Sequence, residues 1–173
     1  PLEEKPLLVW LDYDTSLDGP VLQDLSMLCQ RAASGSVLVV TINAQKNSLP
    51  NKDADEQTFE SDEARLRYFA GNLIPQTLPK GSMQASKYPA YLASLIFDHM
   101  RRTAGRENEQ VLPLFNIGYS DNAPMVTVGA AIVDEVRAQA TTALIAARNM
   151  GGIVNGSVQL SIGVPPLTLK EKA

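Results

Sequence analysis

Two carboxylates at the end of an apolar run are the first residues able to do chemistry. Leu7–Leu11 runs without a polar break into Asp12 and Asp14, with Tyr13 between them and Thr15, Ser16 and Gly19 close behind. A carboxylate at the end of a buried strand must find partners, because desolvating it alone is costly. The same position suits a group that orients a ligand or takes a proton from it. Asp14 and Asp18 have a simpler use too, since Asp is a favoured helix N-cap.

These residues need a scaffold, and the pattern around them supplies one. Leu7–Leu11 is a continuous apolar run, as expected of a buried parallel strand, and Trp10 is expected in the core. Asp18-Gly19-Pro20 reads as a helix start, with proline tolerated in the first turn. Val21, Leu22, Leu25, Leu28, Cys29 and Ala32 then recur at helical spacing, predicting a helix over Pro20–Ala33 that Ser34-Gly35 ends. Val37–Ile42 is a second apolar run, with Thr41 and Asn43 at its end. Strand, helix and strand make a right-handed βαβ unit, with both strand ends on one edge of a parallel sheet.

Further along, Asn43–Gln57 reads as a polar loop and Thr58–Ala70 as a helix. Gly71–Tyr88 reads as a long connection broken by prolines. Pro89–Ala104 reads as an amphipathic helix with Leu92, Leu95, Ile96, His99 and Met100 on one side, stopped by Gly105. Val111–Tyr119 and Met125–Val133, separated by "SDNAP", predict a β-hairpin. Arg137–Arg148 is expected to be helical, broken by Gly151-Gly152, and Ser157–Val164 to be a late strand. The order predicts a mixed α/β sheet, with parallel strands first and an antiparallel hairpin at one edge.

Composition narrows the function. The chain has 173 residues, 45% hydrophobic and 20% charged, with a net charge of −4. No basic block marks a nucleic-acid or membrane surface, and no apolar run nears the roughly 20 residues that span a bilayer. The single cysteine, Cys29, cannot form an internal disulfide and reads as a buried thiol, which fits a reducing cytoplasm. His99 is the single histidine and reads as a half-buried packing residue, with no second histidine for a metal pair. Asp121 and Asn122 read as turn residues, and the Asp53–Glu63 acidic run as a solvated helix start. The chain lacks an initiator Met and reaches a core strand within ten residues, so it is expected to be a piece of a longer protein.

Two resemblances compete for the opening strand. Asp12-Tyr13-Asp14 resembles the motif of haloacid dehalogenase-type phosphatases, with Asp12 as nucleophile, Asp14 as acid/base and Thr41 ending the second strand. Such enzymes also need a later acidic pair to hold Mg²⁺, and no later apolar strand here ends in one.

The second resemblance covers most of the chain. "VWLDYD", "GSVLVVTINA", "LFNIGYSDNAPMVTVGA" and "VPPLT" are similar to segments of a bacterial family described as putative O-methyltransferases. It implies a Rossmann-like class I methyltransferase fold, of which residues 1–173 would be the C-terminal half of a single domain. It also implies S-adenosylmethionine as the methyl donor and an acceptor of unknown identity. Asp12 would then orient a cofactor amine or an acceptor hydroxyl, and Asp14 would act as base or cap a turn. Tyr13, Thr41 and Asn43 would lie beside the ligand at the carboxyl ends of the strands. The glycine-rich loop that cradles the cofactor would belong to a missing N-terminal half or a partner chain, since no such loop stands in this sequence. A methyltransferase-like module that has lost catalysis and serves in binding or in assembly, as in an oligomer, is the non-enzymatic alternative. The acidity argues against a nucleic-acid acceptor.

Overall fold

The computed structural model describes residues 5–104, 108–148 and 158–163. A five-stranded mixed sheet carries helices on its two faces. Strand β1 (Leu8–Asp12) leads through α1 (Gly19–Arg31) to β2 (Ser36–Asn43). After a loop come α2 (Asp62–Ala70), a 3₁₀ turn (Gly71–Leu73) and α3 (Tyr88–Thr103). The hairpin β3 (Glu109–Asp121) and β4 (Ala123–Asp134) is followed by α4 (Glu135–Ala147) and β5 (Leu160–Ile162). The sheet order is β1-β2-β4-β3-β5. β1 and β2 are parallel, β4 runs antiparallel between β2 and β3, and β5 is parallel to β3. Parallel strands completed by an antiparallel hairpin is the architecture the sequence predicts, except that β5 pairs outside β3 and the hairpin is not the sheet edge.

Local chemistry explains the elements. Asp18 caps α1, its carboxylate accepting from Val21 N at 3.1 Å, with Pro20 in the first turn. Ser61 caps α2 by accepting from Ala64 N, and Asp134 caps α4 by accepting from Arg137 N at 2.8 Å. The cap bonds and the Arg137 side chain hold the Asp134 carboxyl down to about 2, the backbone bond contributing most. Asn122 takes a left-handed φ of 60° at the hairpin tip.

The two faces of the sheet differ. Leu38, Val40 and Ile42 of β2 and Val126, Val128, Ala130 and Ile132 of β4 are buried in one cluster. Leu22 and Leu25 of α1, and Leu92, Ile96 and Met100 of α3, belong to the same cluster. Cys29 is buried there, and burial pushes its thiol up to about 11. His99 bridges α1 and α3, its Nε2 lying 2.9 Å from Leu22 O and 2.8 Å from Ser26 Oγ. The opposite face carries a smaller cluster of Ala131, Val133 and Ala138 beneath α4. A Cβ on Gly129 would come within 2.3 Å of the Phe115 ring, so glycine is what lets Phe115 lie across β4.

Three expectations are corrected. β1 is an edge strand, not a strand buried on both sides; Leu8 is 75% exposed and Trp10, expected in the core, is 63% exposed. Its outer edge and one face have no neighbour among the described residues. The second helix starts at Asp62, not Thr58, because Lys52 and Thr58 pair in an isolated bridge and Ser61 is the N-cap. The hairpin strands run through most of "SDNAP", with Asp121 opposite Ala123. Gly105 and Gly151-Gly152 lie outside the described residues, and no helix among those described is long and apolar enough to cross a membrane.

Candidate functional site

The carboxyl ends of β1 and β2 lie side by side, with Asp12 in register with Thr41. β4 begins at the same end, Met125 pairing with Asn43, and β3 ends there with Tyr119 opposite Met125. Four strands thus deliver residues to one edge, the place where open α/β sheets hold ligands.

The residues singled out in the sequence divide sharply there. Asp12 and Asp14 are exposed, and neither carboxylate has a hydrogen bond or ion pair among the described residues. Asp12 shares the open face with Trp10, as strand alternation requires. Tyr13 turns the other way: its hydroxyl donates to Asp24 Oδ2 on α1 at 2.6 Å. Burial first, and the Asp24 carboxylate second, raise that hydroxyl far above the usual tyrosine range, so Tyr13 is held as a neutral donor.

Thr41 is 1% exposed and belongs to a polar chain across the open face. Trp10 Nε1 donates to Thr41 Oγ1 at 3.0 Å, and Thr41 Oγ1 lies 2.9 Å from Thr127 Oγ1. Asn43 shapes the turn after β2: its side-chain oxygen accepts from Gln45 N at 2.8 Å, while its own N–H donates to Thr15 O at 2.9 Å. So Asp12 and Asp14 present carboxylates free of partners among the described residues, whereas Tyr13, Thr41 and Asn43 build the edge that presents them.

Sequence pattern does not point to the charged wall beyond Asn43. Lys46 Nζ lies 3.0 Å from Asp62 Oδ2 at the start of α2, and Arg65 NH2 lies 3.6 Å from Asp62 Oδ1. Arg65 is 8% exposed; its NH1 donates to Lys46 O at 3.2 Å and its NH2 to Asn51 Oδ1 at 2.6 Å. Tyr88 is buried nearby at the start of α3, and burial pushes its hydroxyl up to about 12. The loop character of 43–57 is legible, but nothing in its spacing ties Lys46 to the start of the next helix. Two hollows open at this edge and meet at Ala85. One, of about 290 Å³, is lined by Lys46, Asp62, Ala44 and Pro124; the other, of about 280 Å³, by Tyr119, Met125, Gln159 and Ser161.

Asn116 and Tyr119 take opposite faces of β3. Asn116 is buried and accepts from Gln159 Nε2 at 3.1 Å, and the register shift between Pro113 and Phe115 precedes both.

The model of a family described as "Putative O-methyltransferase" matches residues 2–173. The chain belongs to that family. Among solved structures, it is similar to a tryptophan-to-alanine mutant of the 16S rRNA (adenine(1408)-N(1))-methyltransferase from Catenulisporales acidiphilia. The identity is 17% and the TM-score 0.32, and the match covers 73% of this chain and 48% of that one. The chain therefore spans about half the length of that enzyme. No curated protein matches it. Family membership favours the methyltransferase resemblance over the phosphatase one.

Proposed function

We propose that the intact protein transfers a methyl group from S-adenosylmethionine to an oxygen acceptor, and that this chain forms the C-terminal half of the catalytic domain. Family membership supports the reaction class. The observation that carries the assignment to this edge is Asp12, an exposed carboxylate with no partner among the described residues, at the end of a parallel strand.

The described residues fit the acceptor side better than the cofactor. Gly19 is the described glycine that follows a parallel strand at a helix start, and Asp18 already takes the first free N–H of that helix. An acidic cap is a poor cradle for the donor, and the spaces beside Gly129 and Gly118 are filled by Phe115 and Gln159. The cofactor cradle is therefore assigned to the N-terminal half, or to a partner chain that takes its place. The open edge of β1, with Leu8 and Trp10 exposed beside it, supports a covering element there.

The sulfonium donor supplies an electrophilic methyl group, and the protein aligns the acceptor and relieves it of its proton. Asp12 accepts a hydrogen bond from the acceptor hydroxyl or from a donor amine. Asp14, two residues on and exposed, is the alternative base. Tyr13, Thr41 and Asn43 position this edge through their bonds to Asp24, Trp10 and the turn after β2. A soluble cytoplasmic setting agrees with the buried free thiol and the acidic composition.

Calorimetric titration of the intact protein with S-adenosylmethionine tests this reading. The expected result is saturable binding, weakened about tenfold or more by Asp12→Ala where Asp12 holds the donor amine, the scale of one charge-assisted hydrogen bond, and unchanged where it holds the acceptor hydroxyl. Absence of binding overturns the methyltransferase reading, and equal binding by the variant removes Asp12 from the donor site.

A further inference from the structure

The charged wall of the first hollow pairs Lys46 with Asp62, and a second cation, Arg65, is buried behind it. Asp62 is shared by Lys46 at 3.0 Å and Arg65 at 3.6 Å, so two cations meet one carboxylate. Glu63, the next acid on α2, is taken by Arg67 at 2.7 Å. Arg65 stands behind the wall and is tied to both residues that form it, through the Lys46 carbonyl and the Asp62 carboxylate. Its Nε–H is buried with no hydrogen-bond partner among the described residues. A buried guanidinium with an unanswered donor adds positive potential that low dielectric does little to screen. The first-turn N–H groups of α2 add to it. The chain as a whole is acidic, so this excess is local.

Ala44, Ala85 and Pro124 give the remaining walls an apolar patch, with Gln45 and Asn47 beside it, and the volume of about 290 Å³ suits a small molecule. We propose that this hollow binds a small carboxylate with a compact apolar body, held by Lys46, and that this compound is the methyl acceptor. One excess charge matches a carboxylate, and the Ala and Pro walls match a short ring or branched chain. The assignment as acceptor rests on the methyltransferase reading; the binding of the carboxylate does not. Asp62 competes for Lys46, so it sets the strength of binding, and its removal strengthens the site.

Benzoate is the probe, with benzamide as its neutral counterpart, titrated into the isotope-labelled intact protein without S-adenosylmethionine and followed by amide NMR. Benzoate is expected to shift the amides of Gln45, Lys46, Asp62 and Ala85 saturably. Benzamide, and benzoate with Lys46→Gln, are each expected to bind about fivefold more weakly or worse, as loss of a partly exposed charge-assisted contact requires. Asp62→Asn is expected to bind benzoate more tightly. Equal shifts with benzamide, or undiminished binding by Lys46→Gln, overturn the proposal. Lys46-dependent benzoate binding in a protein that does not bind S-adenosylmethionine keeps the carboxylate site and removes the methyltransferase reading. The converse result does the reverse.

Discussion

The two faces of the sheet are built from the same strands by alternation, yet they are finished differently. On one face Leu38, Val40 and Ile42 meet α1 and α3 in a closed apolar core. On the other, α4 covers the region of Ala131 and Val133, while Leu8 and Trp10 stay exposed beside the chain from Trp10 to Thr127. The closed face holds the fold together. The open face lies next to Asp12, and its indole is already oriented by a hydrogen bond before anything covers it. A surface so arranged is pre-organised, because the cost of fixing the side chains is met within this chain.

The largest effect should come from the closed face. Leu92 is fully buried, so Leu92→Ala should cost about 2–5 kcal/mol in denaturant unfolding. Trp10→Ala in this chain should cost about 1 kcal/mol or less, as exposed substitutions do. In the intact protein the Trp10 cost should rise toward that of Leu92; a Trp10 that stays cheap there breaks the comparison. Next is Gly129→Ala, whose added Cβ meets the Phe115 ring; overpacking of this kind costs about 1–3 kcal/mol. Adding Phe115→Ala should recover part of that loss in a double-mutant cycle, and strict additivity would mean the ring simply swings aside.

Smaller effects sit at the helix caps. Asp18→Ala should destabilise by about 1 kcal/mol through its lost bond to Val21 N, whereas Asp14→Ala should leave unfolding nearly unchanged. Equal losses at both would give Asp14 a structural bond and weaken its claim as a base. Asp134 sets the acid response of α4. Its folded pKa, about 2, lies below the ordinary carboxylate value of 3.8, so its contribution is present above that value and is lost as pH falls toward 2. Circular dichroism from pH 5 to pH 2 should show α4 loosening across that window, and Asp134→Asn should flatten the response.

The helices and the hairpin are legible in the sequence because their apolar residues recur with the period of the element. Leu92, Leu95, Ile96 and Met100 share a face in the sequence and in the core alike. Periodicity does not say which neighbour a strand has. Leu7–Leu11 is apolar throughout and so reads as buried, but an edge strand with one open face can have the same composition. For that reason composition places Trp10 inside, where the fold leaves it out. The roles of Tyr13 and Thr41 are hidden for a related reason: their bonds reach Asp24, Trp10 and Thr127, and residue type alone does not reveal whether a hydroxyl is already taken. Asp12 is legible because strand direction alone places it at the edge. Lys46 and Arg65 are not, since what matters is the Asp62 they share across a loop and a helix start.

Trp10 is the chain's single tryptophan, so its fluorescence reports the open face without labels. Residues 1–173 studied alone should give solvent-exposed emission, readily quenched by acrylamide. If the proposed N-terminal half or a substitute for it covers β1, the intact protein should give blue-shifted, shielded emission. The same exposed, quenchable emission in both would contradict the claim that this edge is the middle of a larger sheet.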